Sequence, residues 1–303
     1  MKLAVVGLGK MGAQIAQMLI GAGHQVVAVD PNPEAVKTAE GFGAIPATTR
    51  VDAVSKFTDG EHPVIWLMIP AKFVTDEVAG WREVLPADSI VIDGGNTDFR
   101  ETKGHAASLA EKGIKFVDVG TSGGILGLKN GFSMMAGGDE DAYHTISPIL
   151  DVLAGTRGGH DFFGEPGAGH YVKMVHNAIE YGMMESLAEG YRMLREGAYA
   201  GLDLAKAGDV WQKASVIEST LNALAAEVMH EDQNLASADG YVAESGEGRW
   251  TLEVAKQKNI ALPAIQTAFD VRLASQNGDT NYSTKLLAEL RNKFGGHPLN
   301  TNG

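Results

Sequence analysis

Residues 2–30 read KLAVVGLGKMGAQIAQMLIGAGHQVVAVD. A β-rich run, KLAVVG (2–7), leads into Gly7-Leu8-Gly9-Lys10-Met11-Gly12, which has the spacing G-x-G-x-x-G. With 38 glycines in the chain, that spacing alone proves little. Its surroundings give it meaning. The apolar pattern of 10–23 is helical and stops at glycine, a second strand-like run covers 25–30, and that run ends on Asp30, about 20 residues past the loop. Each glycine has a task in such a unit. Gly7 permits a tight turn, Gly9 lets the backbone approach a pyrophosphate, and Gly12 lets the helix pack against the strand. The helix start then offers N–H groups and its dipole to phosphates. Asp30 is expected to accept from the ribose hydroxyls, although a turn role before Pro31 also fits it. Its charge would repel a 2′-phosphate, and residues 31–34 (PNPE) hold no arginine to receive one. The expected cofactor is therefore NAD, bound by Gly7, Leu8, Gly9, Lys10, Met11, Gly12 and Asp30.

Outward from this unit the alternation continues. Residues 33–42 read as helix. VIWLMI (64–69) is apolar throughout, as a strand buried on both faces requires. A helix near 71–84, SIVIDGG (89–95), a helix near 98–112, KFVDVG (115–120), FSMMAGG (132–138) and a helix near 139–153 follow. This order predicts a Rossmann-type α/β domain with a parallel-rich sheet over residues 1–165. GEPGAG (164–169) interrupts the pattern, and no β-rich run follows it. Helical segments near 170–197, 203–213, 217–230, 249–258, 262–277 and 283–294 predict an all-α domain over 166–303. In open α/β sheets ligands gather beyond the carboxyl ends of strands. The loops Asp93-Gly94-Gly95-Asn96 and Gly120-Thr121-Ser122-Gly123-Gly124 are thereby candidate site loops, in which Asn96 can hold a carboxylate or hydroxyl and Ser122 with the glycine amides can cradle an anion.

GHYVKMVHNAIEYG (169–182) lies in the longest helical segment. At 100° per residue, Val172, Val175, Ile179 and Met183 form one stripe, expected to be the buried face. Lys173, His176, Asn177 and Glu180 gather on another arc about 100° wide, with Tyr181 at its rim. Alone, this arc reads as a solvated flank. The cofactor loop upstream favours a site, because hydride transfer needs a base close by. A lysine serves as a base where its surroundings favour the neutral amine. Lys173 and Glu180 are about 10 Å apart along the axis, enough to address different atoms of one small substrate.

Composition narrows the classes. The net charge is −13 and no Lys/Arg cluster occurs, which argues against nucleic acid. A small anionic substrate stays open, since a pocket needs only a few local cations. No run approaches the roughly 18 apolar residues of a membrane span. The start lacks a signal-peptide layout, and there is no cysteine to form disulfides or thiolate metal sites. A cytoplasmic protein without a metal is expected.

GLGKMG, DGGN (93–96), DVGTSGG (118–124), GHYVKMVHNAIEYGMM (169–184), GRWT (248–251) and RNKFGGH (291–297) occur in an order that resembles the 6-phosphogluconate dehydrogenase family along nearly the whole chain. The resemblance implies oxidative decarboxylation of 6-phosphogluconate to ribulose 5-phosphate, a step of the pentose phosphate pathway and of gluconate utilization. It implies Lys173 as base at the carbon 3 hydroxyl and Glu180 as acid at carbon 1. Asn96, Ser122, Gly123, Gly124, His176 and Asn177 resemble substrate-holding residues, Asn96 also serving the cofactor, and Tyr181 and Arg272 resemble phosphate contacts. Arg291 and His297 resemble residues that a neighbouring subunit's tail inserts, which implies a homodimer or a homotetramer. The chain is shorter than the common long form and looks like the short, NAD-linked branch. Where long forms carry a lysine and a threonine for the phosphate, it has Ser245-Gly246-Glu247, and a glutamate there repels phosphate unless turned away. The competing enzyme reading is a β-hydroxyacid dehydrogenase of the 3-hydroxyisobutyrate type; the competing reading from another class is a catalytically silent cofactor-binding protein.

Overall fold

The computed structural model describes residues 1–58 and 60–299. The chain divides into two compact units, Met1–Met174 and Val175–Gly303.

The first unit contains β1 (Lys2–Val6), α1 (Lys10–Gly21), β2 (Gln25–Val29), α2 (Pro33–Gly41), β3 (Ile45–Ala47), α3 (Arg50–Ser55), β4 (Val64–Leu67), α4 (Val74–Val84), β5 (Ile90–Asp93), α5 (Phe99–Ala110), β6 (Lys115–Ser122), α6 (Gly127–Asn130), β7 (Ser133–Gly138), α7 (Glu140–Ala154) and β8 (Gly159–Phe162). The strands form one sheet in the order β3-β2-β1-β4-β5-β6-β7-β8. All neighbours are parallel except β6 and β7. That pair is antiparallel because residues 123–132 hold too short a connection for a parallel crossover. The order reverses between β1 and β4, so the loop after β1 opens at the switch point where this architecture binds ligands.

Alternation along β1 explains the two cores. Leu3 and Val5 pack with Ile15, Leu19 and Ile146 on one face of the sheet. Ala4 and Val6 pack with Val74, Val78, Trp81 and Leu109 on the other. Both faces are covered, which is why the strands read as nearly continuous apolar runs. Three elements escape the sequence pattern. β3 and α3 are too short to show a period, and β8 (GHDF) alternates between exposed and half-buried positions at the sheet edge.

α8 (Ala168–Glu196) begins in the first unit and runs into the second, which continues with α9 (Leu204–Trp211), α10 (Thr220–Glu231), α11 (Glu247–Lys258), α12 (Pro263–Gln276) and α13 (Tyr282–Gly295). No strand occurs in the second unit among the described residues, and no helix is long and apolar enough to cross a membrane. α10 packs against α9 and α13, and α12 against α11 and α13. Their interior holds Leu224, Val228, Met229, Leu286, Leu287 and Leu290. Local signals set the ends: Asn281 and Thr284 form a capping box for α13, which stops at left-handed Gly296.

The buried face of α8 differs from the expectation. Ile179 and Met183 are 51% and 49% exposed, and Val172 and Val175 are half-buried. The line that packs is Met174, Ala178, Tyr181, Glu185 and Ala188, on the opposite side. Small Ala178 and Ala188 let neighbouring helices approach, and Tyr181 packs with Ala268 and Phe269. The polar arc of Lys173, Asn177 and Glu180 still adjoins this line.

Candidate active site

In the first unit, the glycine loop is built as its spacing requires. Gly7 has φ +89°, and a Cβ there would lie 2.5 Å from the Met68 carbonyl oxygen. A Cβ on Gly12 would overlap the Gly7 carbonyl. At Gly9 a Cβ would meet nothing within 4 Å. The fold itself therefore does not need glycine there, whereas a ligand brought against the backbone does. Gly9 is the N-cap of α1, and no side chain caps that helix start. Leu8 is buried, Met11 half-buried and Lys10 exposed.

Asp30 serves the loop directly. Its Oδ2 accepts from Leu8 N at 2.6 Å and its Oδ1 from Asn32 N at 2.8 Å. Asn32 in turn caps α2. The turn role leaves capacity for a ligand, because each carboxylate oxygen has two lone pairs and these two bonds use one on each. The Leu8 amide, in contrast, is committed to Asp30.

The DGGN loop hangs on Asp93. This buried carboxylate accepts from Gly95 N (3.1 Å) and Thr97 Oγ1 (2.6 Å), while Asn96 between them is exposed. Beyond β6, Gly123 (φ +146°) and Gly124 (φ +53°) turn a chain path that few other residues could follow, with Ser122 half-buried before them.

Asp118 and His170 are functional-site supports that sequence reasoning missed. Asp118, fully buried on β6, accepts from Gly167 N and His170 N, each at 2.9 Å. One carboxylate thereby satisfies two orphan donors at the start of α8 and complements its dipole. His170 Nδ1 lies 2.8 Å from Thr102 Oγ1 and its Nε2 lies 3.2 Å from the Asp93 carbonyl oxygen. The signal was present: an aspartate in the middle of an otherwise apolar strand has to be buried for a reason.

Gly169 lies so close to the sheet that a Cβ would overlap the Met135 carbonyl and lie 2.8 Å from Gly137 N. One turn on, Lys173 is buried, and its side chain passes directly over Gly120, where a Cβ would lie 2.9 Å from the Lys173 Cγ. Glycine at 120, 137 and 169 thus sets the depth at which the lysine enters.

In the second unit, α8, α11, α12 and α13 bring together Asn177, Glu180, Tyr181, Glu247, Arg272 and Arg291. His176 Nδ1 is 3.0 Å from Asn177 Oδ1, and Asn177 donates Nδ2 to Glu247 Oε1 at 2.9 Å. The Arg272 guanidinium lies over the Tyr181 ring, 3.4 Å from its centroid. Arg272 is 1% exposed. Its Nη2 points to the Met184 sulfur at 3.7 Å, while Nε and Nη1 have no hydrogen-bond partner among the described residues. Burial pulls its pKa down to about 10, opposed by Tyr181, Glu180 and Glu185, so the group stays cationic at neutral pH. Arg291 is also buried, and its pKa is lowered by desolvation against the pull of Tyr181, Glu180, Glu247 and Tyr241.

The resemblance assigns Arg291 to a neighbouring subunit's tail; within this chain Arg291 lies in the packed body of α13, where Tyr181 and Glu180 act on its charge. Glu247 was expected to repel a phosphate unless turned away. It is turned to Asn177 and to the field of Arg291. His297 is held at the end of α13, its carbonyl accepting from Asn292 Nδ2 at 2.8 Å.

A family model described as the NAD binding domain of 6-phosphogluconate dehydrogenase matches residues 2–161. Another, the C-terminal domain of 6-phosphogluconate dehydrogenase, matches residues 169–297. A Haloferax volcanii protein named as an NAD(+)-dependent, decarboxylating 6-phosphogluconate dehydrogenase is 38% identical over 99% of this chain and 98% of its own length. Among solved structures, the 6-phosphogluconate dehydrogenase of Plasmodium falciparum is similar with a TM-score of 0.76 at 22% identity, covering 96% of this chain and 70% of that one. A 3-hydroxyisobutyrate dehydrogenase of Salmonella typhimurium gives 0.73, also at 22% identity, over 94% of this chain and 98% of that one. At such identities the two structures share the fold and do not discriminate between substrates.

Proposed function

The chain belongs to the 6-phosphogluconate dehydrogenase family, and from that membership we propose that it oxidises 6-phospho-D-gluconate with NAD, releasing carbon dioxide and forming D-ribulose 5-phosphate and NADH. The observation that carries the substrate is Arg272. A buried guanidinium with two nitrogens unpaired among the described residues, stacked on Tyr181 and close to buried Arg291, is costly to keep in an acidic chain unless an anion completes it. A phosphate does so with paired N–H···O bonds. An unphosphorylated hydroxyacid leaves these cations without a role.

NAD, when bound, supplies the hydride acceptor. Gly7, Gly9, Gly12 and the capless start of α1 would hold its pyrophosphate, with Leu8, Lys10 and Met11 in the same loop, and Asp30 would hold the ribose. Family membership carries over Asn96, Ser122, Gly123, Gly124, His176 and Asn177 as the sugar-acid residues. Lys173 removes the proton from the carbon 3 hydroxyl as hydride departs. The resulting β-keto acid loses carbon dioxide, its carbonyl accepting the electron pair. Glu180, two helical turns on from Lys173, returns a proton to carbon 1 of the enediol. Tyr181, Arg272, Arg291 and His297 answer to the phosphate. A cytoplasmic homodimer or homotetramer belongs to the same reading, and light scattering on the purified chain reports the assembly.

The test is spectrophotometric. Supplied with 6-phosphogluconate, the protein should reduce NAD in preference to NADP and release carbon dioxide, and 3-hydroxyisobutyrate should give no turnover. Arg272→Ala should raise KM for 6-phosphogluconate by roughly 30-fold or more, the scale of a broken buried charge pair, with KM for NAD unchanged. Equal efficiency on unphosphorylated gluconate would overturn the assignment.

A further inference from the structure

Glu247 has no task in the reaction as derived above, and it is an expensive residue to keep. It is 2% exposed at the first position of α11, and its Oε2 takes no hydrogen bond among the described residues. A half-satisfied buried carboxylate lowers stability. The side-chain hydrogen bond from Asn177 Nδ2 to Glu247 Oε1 is the first link of a chain that continues from Asn177 Oδ1 to His176 Nδ1.

We propose that Glu247 is a positioning residue that fixes the amide of Asn177 and, through it, the tautomer of His176. A carboxylate can only accept, so it admits the NH2 side of the Asn177 amide and excludes the carbonyl side. The carbonyl oxygen must then face His176. An amide oxygen also only accepts, so the ring must present Nδ1–H to it. A neutral imidazole with its proton on Nδ1 carries its remaining lone pair on Nε2. The acceptor of the His176 ring is thereby Nε2, the kind of atom that a polyhydroxylated substrate addresses. Hydrogen bonds from behind a site commonly orient the residues that touch a ligand. The inference rests on the reading of His176 and Asn177 as substrate residues, but its structural core does not depend on activity.

The chain has nine histidines, and the signals of His176 are assigned by their loss in His176→Asn. With 15N-labelled histidine, NMR at about pH 8.5, above the usual imidazole range, should show wild-type His176 with its proton on Nδ1. In Glu247→Ala the amide is no longer forced, and the ring should become a mixture of tautomers. KM for 6-phosphogluconate should rise about tenfold with KM for NAD unchanged, the size of one neutral hydrogen bond lost. Glu247→Gln has nearly the same shape, so it carries the test if the alanine variant does not fold. A glutamine can offer either side of its amide, and it should give an intermediate mixture and an intermediate KM. A wild-type His176 protonated on Nε2 overturns the proposal, as does an unchanged tautomer in both Glu247 variants. A protein that fails to oxidise 6-phosphogluconate refutes the proposed function instead, and the tautomer measurement still decides the role of Glu247.

Discussion

Glu185 lies on the buried line of α8, 6% exposed, with Oε2 lacking a hydrogen-bond partner among the described residues. Burial pushes its pKa up to about 7; the charge of Glu189 adds to the rise and Arg272 opposes it. Its folded-state pKa is therefore above the unfolded value, and the native protein binds this proton more tightly. The stability associated with the proton is fully present below the unfolded pKa, near 4.5. It is lost progressively as pH rises to 7 and is gone above it. A displacement of this size corresponds to about 3 kcal/mol, of which roughly 2–3 falls between pH 5 and pH 8. Glu185→Gln keeps the shape and removes the titration. Relative to wild type, the variant should gain little at pH 5 and about 2–3 kcal/mol at pH 8, or several degrees in Tm for a chain of this length. Thermal unfolding of both proteins at the two pH values, in the same buffer ions, measures the difference. If the Tm gap between variant and wild type is the same at both pH values, the carboxyl does not titrate as described and the reasoning fails.

Four further outcomes follow from the site. Lys173→Ala should lower kcat by at least about 100-fold, the usual scale of a lost general base, with NAD affinity by calorimetry nearly intact; Glu180→Gln should also slow turnover strongly, and normal rates in both variants would refute the mechanism. Gly120→Ala places a methyl where the Lys173 side chain runs. It should cost about 1–3 kcal/mol in stability from overpacking and lower kcat more than it changes KM for NAD, read by calorimetry and steady-state rates. Asp118→Asn keeps the size but turns a donor toward one of the amides of Gly167 and His170. A loss of about 1–3 kcal/mol by chemical denaturation is expected for a buried polar group left unsatisfied.

Legibility in the sequence followed the range of the forces involved. The glycine loop was readable because its demands are local: a positive φ at Gly7 and a close approach at Gly12 act within a few residues. The parallel sheet was readable because strands buried on both faces must be apolar. β3 was not, since three residues carry no period. The polar arc of α8 was placed correctly relative to itself, yet its packing face was assigned to the wrong side. Periodicity reports that helix faces differ, and it took Ile179 and Met183 for the core where Ala178 and Tyr181 pack instead. Asp118, Arg291 and Glu247 depend on partners tens of residues away in sequence, and nothing local records which donors they meet.

The two amides held by Asp30 turn cofactor choice into a problem of loop architecture. Engineering this chain toward NADP by replacing Asp30 with a neutral residue would remove the repulsion of a 2′-phosphate, but it would also release Leu8 N and Asn32 N, and with them the tie between the phosphate loop and the β2 end. A successful redesign has to supply new acceptors for both amides along with a cation for the phosphate. Single substitutions at this position should therefore yield enzymes that are poor with either cofactor rather than switched between them.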